Sequence, residues 1–302
     1  MKVKQTAPLI LLAVIWGCYY VASHKAVEGL SVFTVGIVIR FITMLLLTVI
    51  MWRRGELGKL LQTKHVIKRL LLIGVIGFLL DVTAFIGLTL SPAGSGTALL
   101  KCDILFVNII SVFIYKERFT KKDWLYTLIM LYGVLMVMGI SITQFKFAGK
   151  GDIFFILSAL FVSINAFVIK SVQLDKKAPT ADNVVAFYNN FITMTLFFFA
   201  SVAMGTLGQL TKIGDNSAIL LAAICAGIGQ TLVYIVYYYN LRRFPVWIVK
   251  VFLLLMPIVT TVISFILFSE TMVRNQYLGM VIVLGGAFGI LIEQKNKASK
   301  QK

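Results

Sequence analysis

The sequence predicts an all-α integral membrane fold of ten transmembrane helices, arranged as two inverted five-helix repeats, and three observations predict it. First, of 302 residues 59% are hydrophobic and only 14% charged, with a mean hydropathy of +0.93. A soluble domain is about 45–50% apolar and about 25% charged, so this chain lacks the polar side chains to coat a water-facing surface. Second, the apolar residues fall in ten runs close to the roughly 20 residues that cross a hydrocarbon core about 30 Å thick. Third, the basic residues crowd into alternate gaps between the runs, the asymmetry that orients membrane helices.

The runs, in order, are Pro8–Val27, Val32–Trp52, Leu70–Leu90, Thr97–Tyr115, Trp124–Ile142, Ile153–Ile169, Val184–Leu207, Ala218–Tyr239, Val246–Phe268 and Tyr277–Ile292. The first follows Lys2 and Lys4 and imitates a signal peptide, but nine more apolar runs succeed it, so it reads as an uncleaved span. The runs are continuously apolar without strict alternation, which selects helices over a barrel. Pro8, Pro92 and Pro245 stand at or near expected helix starts, where a missing N–H is harmless, and Pro179 lies in a loop. Pro257 falls in the middle of the ninth run and predicts a kink there, with a hinge as its functional reading.

With the N-terminus inside, the inner segments hold 21 of the 29 lysines and arginines, the outer segments five (Lys25, Lys146, Lys150, Lys212, Arg274), and the spans three (Arg40, Lys101, Lys250). This places both termini in the cytoplasm and the protein in the plasma membrane. The net charge of +17 therefore reflects topology; with no solvated basic face it does not mark a nucleic-acid binder. Cys18, Cys102 and Cys225 each lie inside an apolar run and read as buried small residues, without disulfide or metal spacing.

The halves resemble each other. The segment FIYKERFTKKDW is followed by Gly133, and FILFSETMVRNQY by Gly286; Glu117 precedes its glycine by the same interval as Glu270. The repeats are expected over residues 1–145 and 146–302. A five-span unit duplicated enters the membrane upside down the second time, so Glu117 is expected inside and Glu270 outside. Such inverted repeats favour alternating access around a central site. Helix-end positioning is the expected role of Glu117 and Glu270.

At these residues the sequence resembles the drug/metabolite transporter (DMT) superfamily, EamA type. The matching features are Trp16-Gly17, Arg40, the small-residue entry Ala93-Gly94-Ser95-Gly96, the Glu117 and Glu270 blocks with Gly133 and Gly286, and Pro257 ahead of Glu270. The resemblance implies a ten-helix carrier of small organic solutes (amino acids, related metabolites or drugs), often acting outward, with a central cavity between the halves. The first-half position matching Pro257 is Ile104, and its neighbours Lys101-Cys102-Asp103 depart from the family pattern.

Ionisable residues within spans are expensive and point to pathways or relays. Arg40, Asp81, Lys101 and Asp103 fall at similar depths, roughly 9–15 Å from the outer face at 1.5 Å per residue, so they are expected to meet. Two readings stand: a neutral network fixing helix register, or a site in which an aspartate carries a proton or a cation holds a substrate carboxylate. Lys250 is expected to snorkel to the inner headgroups. Candidate cavity-lining residues are Trp16, Tyr19, Asn165 and Tyr188, with Gln230, Tyr234 and Tyr237 on one face of the eighth span; interhelical hydrogen bonding is the plainer role for each. Gly285 and Gly289 form a GxxxG spacing suited to close helix contact.

These features favour a secondary transporter. No GxxxxGK[ST], HExxH or nucleophile elbow is present, so ATP-driven pumping and enzymatic hydrolysis are disfavoured, and rings of polar residues expected of a pore are not evident. No cofactor or metal is expected. The expected partners are a small-molecule substrate and the lipid bilayer, with the protein a monomer or homodimer.

Overall fold

The computed structural model describes residues 3–27, 30–90, 99–117, 119–140, 151–268 and 273–300. We label its helices α1 (Val3–Ala26), α2 (Val32–Arg53), α3 (Ile67–Leu90), α4 (Asp103–Phe113), α5 (Lys121–Val137), α6 (Gly151–Gln173), α7 (Asp182–Ala203), α8 (Gln209–Asp215), α9 (Ser217–Arg243), α10 (Val246–Leu253), α11 (Met256–Phe268) and α12 (Arg274–Lys300). A 3-10 turn, Leu57–Gln62, follows α2.

Among the described residues seven helical stretches are long and apolar enough to cross a membrane: Thr6–Ala26, Val32–Arg53, Gly151–Gln173, Asp182–Ala203, Ser217–Arg243, Val246–Ile263 and Arg274–Glu293. The runs expected at Leu70–Leu90, Thr97–Tyr115 and Trp124–Ile142 are not among them. The first lies within α3. The second is represented by the shorter α4, because the chain turns at Cys102. The third is α5, which closes early: Gly139 takes φ 72°, and Ile140 N–H donates to the Leu135 carbonyl at 2.9 Å, the bonding that ends a helix in a left-handed residue.

The helix faces explain the composition. On α2, Val35, Ile39, Thr43, Leu47 and Met51 are buried, while Phe41, Leu45, Val49 and Trp52 on the opposite face are exposed and equally apolar. On α12, Val283, Ala287 and Ile290 face inward and Val281, Leu284, Phe288 and Ile292 outward. A helix apolar on all sides suits protein contact on one face and lipid on the other. Cys18 and Cys225 are exposed, which corrects their reading as buried: a thiol is small and apolar enough for a lipid-facing position.

The chain forms two compact units that each draw on both sequence halves. The first comprises Met1–Gly17, Leu80–Ile164 and Phe244–Lys302; the second comprises Cys18–Leu79 and Asn165–Arg243.

In the first unit α5 packs closely on α12. A Cβ on Gly133 would stand 2.8 Å from Val283 Cγ2, and one on Gly279 2.7 Å from the Gly133 carbonyl oxygen. Gly286 and Gly289 meet Met130 and Tyr126 in the same way, whereas Gly285 has nothing within 4 Å. The tight glycine seam is thus intramolecular and uses Gly286 in place of Gly285. The start of α5 is fixed by reciprocal bonds: Asp123 N–H donates to Thr120 Oγ1 at 3.2 Å, and Thr120 N–H to Asp123 Oδ2 at 2.8 Å. Thr120→Ala is expected to cost about 1 kcal/mol, read as a lower thermal midpoint of the purified protein.

In the second unit α2 lies against α7 and α9. Gly227 of α9 admits Ile42, Gly74 of α3 admits Ile192, and Gly229 admits Tyr19, whose Cβ would lie 3.1 Å from an added methyl. Ala26, Val35, Ile39, Ile213, Ala222, Ala223 and Ala226 form one buried cluster.

Proline positions are refined. Pro8 lies inside α1, which begins earlier at Val3. Pro245 precedes α10 as its cap. Pro257 opens α11 instead of kinking a continuous helix: the ninth run is broken at Leu254–Leu255, where N–H groups bond three residues back to Val251 and Phe252. Proline at the start of the second helix loses no bond there.

Candidate functional site

The first unit holds an ion pair inside its core. All eight residues of α10 are buried. The Lys250 side chain is only 3% exposed, and its Nζ donates to Asp103 Oδ2 at 3.0 Å. This overturns the expectation that Lys250 snorkels: a lysine whose stem is enclosed by protein has no lipid-facing path to the headgroups. Asp103 is the first residue of α4, and Ser163 Oγ of α6 donates to its carbonyl at 2.9 Å. Lys101 lies two residues before it, half-buried. Asp81 lies half-buried on α3 in this unit, beside Leu80, whose carbonyl accepts from Ser158 Oγ at 2.6 Å.

Asp103 directly follows a helix break, and Lys250 lies about one turn before a second one related to it by the repeat. The interval that carries Glu117 to Glu270 and Gly133 to Gly286 also carries Cys102 to Leu255, and the helix is interrupted at each. Discontinuous helices in paired positions are where many carriers place their sites. Further along α4, Asn108 is fully buried with neither side-chain atom bonded among the described residues, and the Ser111 hydroxyl is likewise buried without a partner among them. Such groups are rare without a water or solute to satisfy them. At the end of α4, Lys116 takes φ 52° and Glu117 N–H donates to the Ser111 carbonyl at 3.0 Å, in keeping with a helix-end role. Glu270, and the Ala93-Gly94-Ser95-Gly96 entry, lie outside the described residues.

Arg40 belongs to the second unit, and several partners there are defined. Its Nη1 donates to Tyr234 Oη at 3.1 Å, and its guanidinium carbon stands 5.1 Å from the centre of the Phe197 ring. Asn190 Nδ2 donates to the Arg40 carbonyl at 2.8 Å. Tyr234 and Tyr238 meet edge to face at 5.6 Å, Tyr237 and Tyr238 at 6.0 Å, and Asn189 donates to Tyr238 Oη at 2.8 Å. The arginine is therefore set in an aromatic and amide shell. Tyr234→Phe, which keeps the ring and deletes the acceptor, is expected to cost about 1–3 kcal/mol, measured by thermal unfolding.

The other lining candidates divide. Gln230 and Tyr237 are buried on α9 with Tyr234; Asn165 is buried with its carbonyl oxygen unpartnered; Trp16 and Tyr19 are half-buried on α1. Tyr188 is an anchor: its hydroxyl donates to the Leu60 carbonyl at 2.9 Å and accepts from Thr63 at 3.2 Å, tying α7 to the turn after α2.

Residue types alone did not reveal a second clamp in this unit. Arg242 Nε donates to Asp182 at 2.7 Å and Nη1 to the Gln173 carbonyl at 3.0 Å; Gln173 Nε2 donates to Asp182 at 2.7 Å and to the Tyr238 carbonyl at 2.9 Å. Nearby, Arg69 pairs with Asp175 in the α6–α7 loop. That bond, with the Lys177 N–H, holds the Asp175 carboxyl down at about 2. A depressed folded value stabilises above the ordinary carboxylate range and is lost as pH falls through about 2, so this tie is constant at physiological pH.

Residues 7–139 and again 149–292 match the EamA-like transporter family. With the apolar helices described above, the match makes the protein a multi-pass membrane transporter of small solutes and not an enzyme. The chain belongs to the EamA-like transporter family. Over 200 residues it is 22% identical to a protein of Salmonella typhimurium (strain LT2) named a probable amino-acid metabolite efflux pump, covering 65% of this chain and 67% of that one. It is 23% identical over 202 residues to an Escherichia coli (strain K12) protein of the same name, with the same coverage. A solved crystal structure shares the fold at a TM-score of 0.79 and 16% identity, covering 97% of this chain and 98% of that one.

Proposed function

We propose that the chain is an exporter of amino acids or related metabolites, working by alternating access in the plasma membrane. The observation that carries this is the family match repeated over the two halves, supported by the two efflux-pump relatives. The proposed architecture is ten spans in two inverted repeats, residues 1–145 and 146–302, with both termini cytoplasmic. Asp103, paired with Lys250, is the proposed proton carrier: protonation of the carboxyl releases the ammonium, and a solute and a proton then compete for one buried charge.

Uptake into proteoliposomes from a panel of labelled L-amino acids, with and without a pH gradient, tests the reading. Transport of at least one panel member, driven by the gradient, is expected, and Asp103→Asn should retain exchange while losing pH-driven accumulation. Unchanged accumulation in that variant ends the assignment of Asp103. Steady bilayer currents far above carrier turnover would end alternating access. For the topology, cysteines beside Glu117 and Glu270, in a chain without its own three, should label from opposite sides; labelling from one side overturns the inverted arrangement.

A further inference from the structure

The inward face of α4 carries polar groups that no described residue satisfies. Ile104, Val107, Asn108 and Ser111 are the buried residues of this helix. Asn108 and Ser111 stand three apart, so their side chains are neighbours on one face, and both are 0% exposed. Asn108 Oδ1, Asn108 Nδ2 and Ser111 Oγ have no hydrogen-bond partner among the described residues. Other buried side chains of these types do find partners. Asn189 donates to Tyr238 Oη at 2.8 Å and Asn183 to Glu56 at 2.7 Å. A helical serine can always donate to the carbonyl four residues back, as Ser163 does to Ala159 at 2.7 Å. Ser111 leaves even that local acceptor unused.

Stability does not account for these groups. An apolar side chain of the same size would fill the space without an orphaned donor or acceptor, and polar residues at membrane depth are costly and kept for function. The repeat supplies a second, independent observation. The interval that carries Glu117 to Glu270 also carries Asn108 to Thr261 and Ser111 to Ser264. Hydrogen-bonding side chains thus recur at the same two positions of α4 and α11, the helices that follow the two breaks, and both helices belong to the first unit.

We infer that Asn108 and Ser111 form a hydrogen-bonding subsite for an uncharged polar group of the transported solute, a carboxamide or a hydroxyl. The residue chemistry sets the class. Asparagine offers two N–H donors and a carbonyl acceptor, and serine one O–H donor and an acceptor oxygen. A neutral group with both a donor and an acceptor satisfies them. An ion is disfavoured, because neither residue supplies a countercharge, and an alkyl group leaves all three atoms orphaned. The inference rests on the reading of the chain as an amino-acid exporter. Within that reading it selects amino acids with an amide or hydroxyl side chain over apolar ones of the same shape.

The test reads half-saturating concentrations from ligand-induced shifts in the thermal midpoint of the purified full chain. Three pairs of probes match in shape and differ in the polar group: L-glutamine and L-methionine, L-asparagine and L-leucine, L-threonine and L-valine. In at least one pair the polar member is expected to bind about tenfold or more tightly than its match, because the apolar one leaves buried groups unpaired. Asn108→Leu, close to isosteric, should bring that ratio to about one and leave the ligand-free midpoint no lower, since it removes an amide with no internal partner. Ser111→Ala should cut the ratio about threefold or more, and it decides the matter alone if the leucine variant yields no protein. A ratio near one for all three pairs in the wild type overturns the subsite, and so does a wild-type ratio retained in the variants. A lower ligand-free midpoint in Ser111→Ala with the ratio unchanged assigns these groups to a buried structural water and likewise overturns it.

The labelled amino-acid assay separates the two claims. Transport with no preference within any pair overturns the subsite and leaves the exporter. A polar preference in binding that Asn108→Leu abolishes, with no panel amino acid moved, overturns the exporter reading and supports the subsite.

Discussion

Lys250→Gln is expected to lose about 3–5 kcal/mol of stability, the usual cost of stranding one member of a buried ion pair. The Lys250 side chain is 3% exposed and that of Asp103 16%, so the carboxylate left behind is largely screened from water. The double variant Asp103→Asn/Lys250→Gln removes both charges and should recover most of the loss. Thermal unfolding of the three proteins in one detergent decides it. If single and double variants fall equally, the lysine contributes packing and the ion pair is not what its removal disturbs.

Gly279→Leu carries the second large effect. Even the first carbon of a new side chain would stand 2.7 Å from the Gly133 carbonyl oxygen, from the Val137 backbone nitrogen and from Met136 Cβ. Two of these are main-chain atoms of α5, which cannot rotate aside, so the helices must separate. A loss of about 3 kcal/mol or more is expected, the upper range for overpacking. Gly285→Leu on the same helix meets nothing within 4 Å and should change stability by about 0.5 kcal/mol or less. The pair of variants separates the seam from the general preference of helices for leucine over glycine. Equal stability of the two would mean that α5 and α12 do not approach as closely as described.

How much of this was legible in the sequence depends on the range of the interaction. Helix positions followed from local hydropathy, and α2, α6, α7 and α9 lie close to their predicted spans. The ion pair did not, because Lys250 and Asp103 are far apart in the chain. A lysine near the end of an apolar run looks the same whether it faces lipid or protein; only the burial of every α10 residue decides it. Of the four charges expected to meet, two have partners on different elements. Asp103 pairs with Lys250, while Arg40 bonds Tyr234 and lies over Phe197 in its own unit. The guanidinium is satisfied by a hydroxyl and an aromatic face, which residue charge alone does not disclose. Tyr188 was chosen as a lining residue by type; its hydroxyl also anchors a loop, donating to the Leu60 carbonyl and accepting from the Thr63 hydroxyl at a neighbouring turn. The helix break at Leu254–Leu255 was signalled by Pro257; its partner at Cys102 has no proline and was visible only through the matching interval of the repeat.

The interleaving of the two units has a consequence for synthesis. The second unit is assembled from Cys18–Leu79 and Asn165–Arg243, whereas the first joins Met1–Gly17 and Leu80–Ile164 to the later Phe244–Lys302. As the ribosome advances, Cys18–Leu79 and Asn165–Arg243 can consolidate while Phe244–Lys302 is still unmade. The opening helix must wait in the bilayer, half of it committed, until the last two segments arrive. A truncation after residue 243 should therefore leave one protease-resistant body and one unfinished one, and two separately expressed halves should gain resistance only when made together in the same cell.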